Sequence, residues 1–559
     1  MSNKNLDTPK AEMVMVPLGG VGEIGMNCMM YGYGLPGDYK WIMVDLGLTF
    51  AGPREPGVEI IVPDITFAEN EKHNIEAIIL THAHEDHYGA IPDLWENLEV
   101  PIYATPFTAS MLKAKLAREG LQDTVPIKEV PRRAKFDLGP FSIEMVDMAH
   151  SIPEPLGLHI KTDAGTLFHT GDWKLDPDPI VGPPTDENRL KKLGDEGIDV
   201  LVCDSTNATR DGSSISEVDV AKTLEEIIAN AKQRVVVTTF ASNVARIKSV
   251  AEAAYKSGRY VILAGRALDR VVGIAKETGY IPQDYSFLSD EDFQHLPAKE
   301  CVVLATGSQG EGRAAMARIA EGSHPKIKLK PKDTIIFSSR TIPGNERSVG
   351  YIINLLAGMD LNIITESDAP VHVTGHPRRG ELEQLYSWIR PNVLVPVHGE
   401  EHHLRSQAAF AKKQNIEKVQ LIKNGDMLSV LPQAPKIIDE VPNGRLYRDG
   451  HFILEDDNAI RVRRKISTLG CVTVSCVVDS KGNLISSPSW SELGVPHEQE
   501  SGEMQDIIEK AVSGTFKSIP SKRRGDKKTL KEALRRSVRS ALNEYWGKKP
   551  VVTIHLHQI

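Results

Sequence analysis

The stretch that decides the fold is AIILTHAHEDHYGAIPDL, Ala77 to Leu94. An apolar run ends at Leu80, and three histidines and two acids then crowd into six positions, His82 to His87. The apolar run predicts a buried strand, and AIPDLW after it predicts a helix. In H-x-H-x-D-H, His82 and His84 stand at i and i+2 of an extended segment. Their side chains point the same way and can converge on one cation. The turn toward the helix then aims Asp86 and His87 at a second. Neutral imidazole nitrogens suit zinc, and carboxylates add charge and can bridge. Buried without an ion, four such groups would be left unsatisfied.

Two catalytic sites need more donors than these. The sequence offers His150 in DMAHSIPE, Asp172 in HTGDWKLD and His398 in PVHGEEHH, each after an apolar run. Strand ends of an α/β sheet gather along one edge, where sites are built. Seven ligands over two ions, with one carboxylate shared, leave room for an activated water. His73, His295, His324 and His497 read as structural. His402 and His403 read as the start of a helix, and His169 as part of the strand leading to Asp172. The glycines of LGGVGEIG lack the GK[ST] of a nucleotide loop and read as tight turns beside the site.

Outward from this cluster, strands alternate with helices along most of the chain, which predicts an α/β layered fold. At 559 residues, two or three domains are expected. A first part, 1–210, carries the histidine-rich strand ends. From 211 to 368, RVVVTTF, YVILAG, CVVLATG and DTIIFSS alternate with helical stretches as a parallel, doubly wound unit does. Residues 369–435 restore the first pattern, so the middle unit is an insertion. LPQAPKIIDEVPNGRLYRDG is rich in Pro and Gly and places a linker at 436–458, and 459–559 reads as a small C-terminal α/β domain. Its SKRRGDKKTLKEALRRSVRS reads either as a solvated helix face or as an RNA or partner contact.

The net charge of −9 argues against loose coating of nucleic acid, so any such contact comes from local patches. Five scattered cysteines without CxxC fit a reducing compartment and exclude cysteine-rich zinc knuckles. No membrane-spanning apolar run or signal core is present, and a soluble cytoplasmic protein is expected.

H-x-H-x-D-H resembles the signature of the metallo-β-lactamase superfamily. DSTNAT at Asp204, GHPRRGEL at His376 and PVHGE at His398, with the insertion, resemble its β-CASP nucleases. PLGGVGEIGMN, ATGSQGEGRAAMARIA, IPGNER and HVTGHPRRGELEQLY resemble, within these, the ribonuclease J family of bacteria, over essentially the whole chain. The resemblance implies a metallo-β-lactamase αββα sandwich with an inserted β-CASP parallel α/β domain and a small C-terminal α/β domain. It implies His82, His84 and His150 on one zinc ion, Asp86, His87 and His398 on another, and Asp172 between them. Manganese or magnesium are the alternative working ions. Asp45 would orient the metal site. Asp204 would orient ligands or assist proton transfer, and His376 would donate to phosphoryl oxygens or to the leaving group.

HVTGH would hold the phosphate backbone through His372, Val373, Thr374, Gly375 and His376, while Phe240, Ala241 and Ser242 approach the nucleotide. GHPRRGE departs from the small residues of many relatives, so Pro377 and Arg378 would alter that pocket. A structural calcium near Asp45, Gly47 and Asp449 is a further expectation. The implied function is hydrolysis of single-stranded RNA, 5′-to-3′ from 5′-monophosphate ends and also internally, in RNA maturation and decay. The products would carry 5′-phosphates. Homodimers or homotetramers and partners in an RNA-degradation complex are expected. A DNA-directed nuclease of the Artemis type, a glyoxalase-type ester hydrolase and a non-catalytic RNA-binding scaffold are the competing readings. The large insert argues against the second, and the filled ligand positions against the third.

Overall fold

The computed structural model describes residues 10–342, 344–496 and 502–559, so His497 and the proline of IPGNER lie outside the described residues. The chain forms two compact units: one runs to Thr49 and then from Ile61 to Arg445, the other joins Phe50–Ile60 to Leu446–Ile559.

The first unit is built on two facing sheets. One contains Glu12–Gly19, Cys28–Leu35, Asp38–Val44, Ile75–Ile79 and Ile102–Ala104, with Asp426–Leu431 and Lys436–Glu440 on its far flank. The other runs from Lys135–Leu138 through Phe141–Asp147, Leu156–Thr162 and Gly165–His169 to Val200–Asp204 and Val393–Val397. Met15, Tyr31, Ile42 and Ile79 of the first meet Met145, Leu158, Val200 and Val395 of the second in one core.

Strand periodicity explains why both faces of Val200–Asp204 are apolar. Val200 and Val202 enter the sandwich core. Leu201 and Cys203 point the other way, against Leu190 and Leu193 of helix Glu187–Glu196 and Leu382 and Leu385 of helix Arg379–Ile389. The result is the expected αββα layering.

After Asp204 the chain leaves this sandwich. Helix Glu217–Asn230 starts at a capping box of Ser216 and Asp219 and buries Val220, Leu224 and Ile228 at helical spacing. Strands Val235–Thr238, Tyr260–Ala264, Cys301–Ala305, Thr334–Phe337 and Asn362–Ile364 pair in parallel, with Phe287–Leu288 at one edge. Val236, Ile262, Val303 and Ile335 form the core of the insertion. The strand left by the chain and the strand it rejoins are parallel neighbours, with Asp204 opposite Val397. Exit and return therefore bring Asp204 and His398 side by side.

In the second unit, Cys471–Val478 lies between Ser489–Leu493 and Val551–Gln558. Val472, Val474 and Cys476 of its apolar face pack against Ile508, Val512, Leu534 and Val538. The basic stretch falls largely on helix Lys527–Trp546, which buries Leu530, Leu534, Val538 and Leu542 and turns its charges outward. Glu532 there pairs with Arg535 and Arg536, which fits the solvated-face reading. Residues 436–458, read as a linker, instead hold strands Lys436–Glu440, Arg445–Asp449 and Phe452–Leu454. Pro442, Gly444 and Gly450 mark turns between these short strands. All five cysteines are free. Among the described residues no helix is long and apolar enough to cross a membrane.

Candidate metal centre

The candidate ligands sit just beyond strand ends on one edge of the sandwich. Asp45 follows Asp38–Val44, and His82 follows the parallel neighbour Ile75–Ile79. His150, Asp172 and His398 follow Phe141–Asp147, Gly165–His169 and Val393–Val397, which run the same way. Asp45 and His398 both take left-handed backbone, φ +63° and +49°, an uncommon conformation for such residues and one found at functional sites.

The side chains gather as two sets of four sharing one carboxylate: His82, His84, His150 and Asp172, and Asp86, His87, Asp172 and His398. In the first, His84 Nδ1 lies 3.1 Å from both His82 Nε2 and His150 Nε2. Asp172 Oδ2 lies 3.9 Å from His82 Nε2 and 3.8 Å from His150 Nε2. In the second, His398 Nε2 is 3.4 Å from Asp86 Oδ2 and 3.1 Å from Asp172 Oδ1, and His87 Nε2 is 3.6 Å from Asp86 Oδ2 and 3.3 Å from Asp172 Oδ2. Ligand atoms at about 2.1 Å from a tetrahedral zinc ion stand about 3.4 Å apart, which is the spacing of these edges. Asp172 Oδ1 and His398 Nε2 are buried and neither makes a hydrogen bond, despite their separation. Such orphaned atoms facing a common centre fit a cation.

The nitrogens turned away from these centres are held. His87 Nδ1 lies 2.7 Å from Asp45 Oδ2. Asp45 also accepts from the Thr81 amide and hydroxyl, both at 2.8 Å, and Thr81 Oγ1 stands 3.0 Å from His82 Nδ1. His150 Nδ1 donates to Gly375 O at 2.6 Å. Across the cluster, Asp204 Oδ2 lies 2.8 Å from His376 Nδ1, and Asp204 Oδ1 accepts the Thr206 hydroxyl at 2.7 Å. That hydroxyl stands 3.2 Å from His398 Nδ1. Partners of this kind fix ring orientation and tautomer around metals.

Burial pushes His82 and His150 well below the ordinary imidazole pKa and His84 to about 4, so these rings are neutral donors at pH 7. Burial also opposes protonation of His87 and His398. Asp172 beside them overrides it and holds both well above the ordinary value. Burial opposes ionisation of Asp172, yet His398, His87 and His376 keep its carboxyl well below the carboxylate range. This half of the cluster is a pocket of negative charge that takes up positive charge.

HVTGH lies against the same cluster. Asn207 Nδ2 donates to Thr374 Oγ1 at 2.8 Å and to His376 O at 3.2 Å, tying DSTNAT to it. A Cβ on Gly375 would meet His150 Cε1 at 2.5 Å, so only glycine fits there. Val373 is buried and His372 nearly so, with His372 Nδ1 unpartnered. Burial and the nearby Arg246 and Arg340 hold His372 neutral. Phe240, Ala241 and Ser242 are half-buried in the turn between strand Val235–Thr238 and helix Val244–Lys256. Pro377 is buried, and Arg378 donates its amide to Glu381 Oε2 at 2.9 Å.

The residues of the calcium expectation have partners within the protein. Both oxygens of Asp45 are taken by Thr81 and His87, and Asp449 pairs with Arg463. Gly47 serves another purpose: a Cβ there would meet Asp86 O at 1.7 Å. Three residues went unread in the sequence. Thr81 and Thr206 carry the hydroxyl links, and Asn27 Nδ2 stands 3.1 Å from His87 Nε2 and donates to Asp86 O at 3.0 Å. Both threonines flank motif residues, which was the signal available.

The chain is also similar to known proteins. Residues 40–239 match the model of the beta-lactamase superfamily domain and 232–356 that of the ribonuclease J beta-CASP domain. Residues 369–420 match the Zn-dependent metallo-hydrolase RNA specificity domain, and 458–559 the ribonuclease J C-terminal domain. The chain is 50% identical to a ribonuclease J of Sinorhizobium meliloti, over 98% of each protein. It is 36% identical to one of Corynebacterium glutamicum, over 96% of this chain and 74% of that protein, and 35% identical to one of Mycolicibacterium smegmatis, over 96% and 95%. A crystal structure of a protein of unknown function from Enterococcus faecalis shares the fold. Its TM-score is 0.52 at 16% identity, over 75% of this chain and 99% of that one.

Proposed function

The chain belongs to the ribonuclease J family, and on that premise we propose that it hydrolyses RNA phosphodiesters at two zinc ions. His82, His84 and His150 would hold one ion and Asp86, His87 and His398 the other, with Asp172 shared. The observation that carries the reading is Asp172, whose carboxylate borders both sets and keeps an unpartnered buried oxygen. Bound there, the ions supply Lewis acidity, which brings the pKa of water down to ~7 and offsets phosphoryl charge; manganese or magnesium could take the working role.

The chain's own residues then orient and transfer. Asp45 and Thr81 lock His87 and His82, while Thr206 locks His398. Asp204 holds His376 by Nδ1, which leaves Nε2 to donate to a phosphoryl oxygen or the leaving group. His372, Val373, Thr374, Gly375 and His376 would receive a 5′-monophosphate. His372, being neutral, would contribute a hydrogen bond rather than charge. Phe240, Ala241 and Ser242 would approach the nucleotide from the insertion. This chemistry does not use the 2′-hydroxyl, so products carry a 5′-phosphate and a 3′-hydroxyl. Single strands would be trimmed 5′-to-3′ and also cut internally, in RNA maturation and decay. The working form would be a dimer or tetramer, with partners in an RNA-degradation complex.

The test uses one RNA sequence with a 5′-hydroxyl, monophosphate or triphosphate, beside the same sequence as DNA. Fastest release of mononucleotides from monophosphorylated RNA is expected. Equal exonuclease rates on all three ends would end the end-pocket reading, and preference for DNA would end the ribonuclease reading.

A further inference from the structure

Behind the metal centre lies a fully buried group of charges that the chemistry above does not use. Lys174, two residues past Asp172, has its Nζ 3.0 Å from Asp176 Oδ2 and 3.7 Å from Glu217 Oε1. Glu217 Oε2 accepts from Arg246 Nη2 at 2.8 Å. All four side chains are essentially inaccessible to solvent.

The other fork of Arg246 faces the return from the insertion. Arg246 Nη1 donates to Val371 O at 2.8 Å and to the Ser338 hydroxyl, which itself donates to Val371 O at 2.7 Å. Val371 is followed directly by HVTGH. Gly375 O of that segment receives His150 Nδ1, and the Lys174 amide donates to Ala149 O at 2.8 Å, beside His150. The contacts close a ring from the Asp172 loop through Glu217 and Arg246 to HVTGH, and back to a candidate ligand.

Two cations and two anions leave no net charge here, so the group does little as a field at the metals. Buried ion pairs give little stability over an apolar packing of the same volume, so their use lies in specifying position. Arg246 suits this because its planar fork offers Nη2 to the carboxylate and Nη1 to the carbonyl in one fixed geometry, whereas an ammonium offers its donors from a single point.

We propose that Lys174, Asp176, Glu217 and Arg246 form a positioning latch that sets the register of HVTGH, and hence of the bound phosphate, against the metal ligands. The proposal rests on the hydrolase reading of the site.

The test compares the wild-type chain with Arg246→Lys and with the paired replacement Glu217→Met, Arg246→Met. Metal content, hydrolysis of bis(p-nitrophenyl) phosphate and kcat and KM on 5′-monophosphorylated RNA are measured, and the Arg246→Lys crystal structure is solved. Misplacement by about 1 Å can cost ~100-fold. The expectation is therefore a fall of about 10- to 100-fold in kcat on RNA, with metal content at the wild-type level and a loss of no more than about threefold on the small diester, whose p-nitrophenolate leaves without an acid. Residues 371–376 should be displaced in the Arg246→Lys crystal while the seven ligands stay in place. Wild-type RNA kinetics in Arg246→Lys would overturn the latch, as would parallel loss on both substrates. Should the paired replacement fail to fold, Arg246→Lys decides. Should the wild type cleave the small diester but no RNA, the ribonuclease reading fails, and an unmoved 371–376 segment would independently refute the latch.

Discussion

Asp45 and Asp204 hold matching places on opposite sides of the metal cluster. Each buried carboxylate takes the Nδ1 of one histidine directly, His87 at 2.7 Å and His376 at 2.8 Å. Each also takes a threonine hydroxyl that stands against a second histidine, Thr81 toward His82 and Thr206 toward His398. One carboxylate thus steadies a ring from each metal set. The other steadies a candidate ligand and the candidate acid.

Asp45→Asn should weaken zinc binding about 10- to 100-fold without unfolding the chain, because an amide turns an NH2 either toward the Thr81 amide or toward the Thr81 hydroxyl and His87. Thr81→Val removes the hydroxyl that joins Asp45 to His82 but keeps the residue-81 amide on Asp45 and the Asp45–His87 contact, so it should cost less. Competition with a chromophoric chelator measures both. Unchanged affinity in Asp45→Asn would show that the link does not hold the ligands.

Asp204→Asn and His376→Gln should each lower RNA hydrolysis by about 100- to 10,000-fold while metal content stays at the wild-type level. If Asp204 acts by orienting His376, the double variant should be hardly worse than either single one. Additive losses in single-turnover assays would instead give Asp204 a separate part in proton transfer.

Gly47→Ala and Gly375→Ala should each disturb one ligand set. The new methyl group meets Asp86 O at 1.7 Å in the first and His150 Cε1 at 2.5 Å in the second. Backbone cannot yield as a flexible side chain can, so Gly47→Ala should lose the ion of the Asp86, His87 and His398 set. Metal analysis after desalting checks this, and full occupancy in both variants would count against the packing argument.

Chelation should lower the melting temperature, and added zinc should restore it in proportion to the logarithm of its concentration. At a hundredfold excess over Kd, one such site adds about 2.7 kcal/mol. Asp172→Asn should blunt the response. A melting curve insensitive to zinc would mean that the folded chain gains nothing from the ion.

Much of the site was legible because its signals are local. His82 to His87 declare themselves in six positions, and His150, Asp172 and His398 each end an apolar run. The α/β layering followed from alternating strands and helices, and the αββα sandwich from the family resemblance. What stayed hidden depends on long-range placement. Nothing in the sequence ties Asp45 to His87, or Thr206 to His398. Nothing local marks Lys174, Glu217 and Arg246 as buried charges. Residues 50–60 join the C-terminal unit, a grouping no local pattern announces. The 436–458 stretch misled because turn residues between short strands have the same composition as a linker.

The central claim is that two ions sit side by side with Asp172 between them. Anomalous diffraction at the zinc edge, from crystals grown with zinc, tests it most directly. The expected map has one peak among His82, His84, His150 and Asp172 and a second among Asp86, His87, Asp172 and His398. A map with a single peak, or with peaks only at other residues, would contradict it.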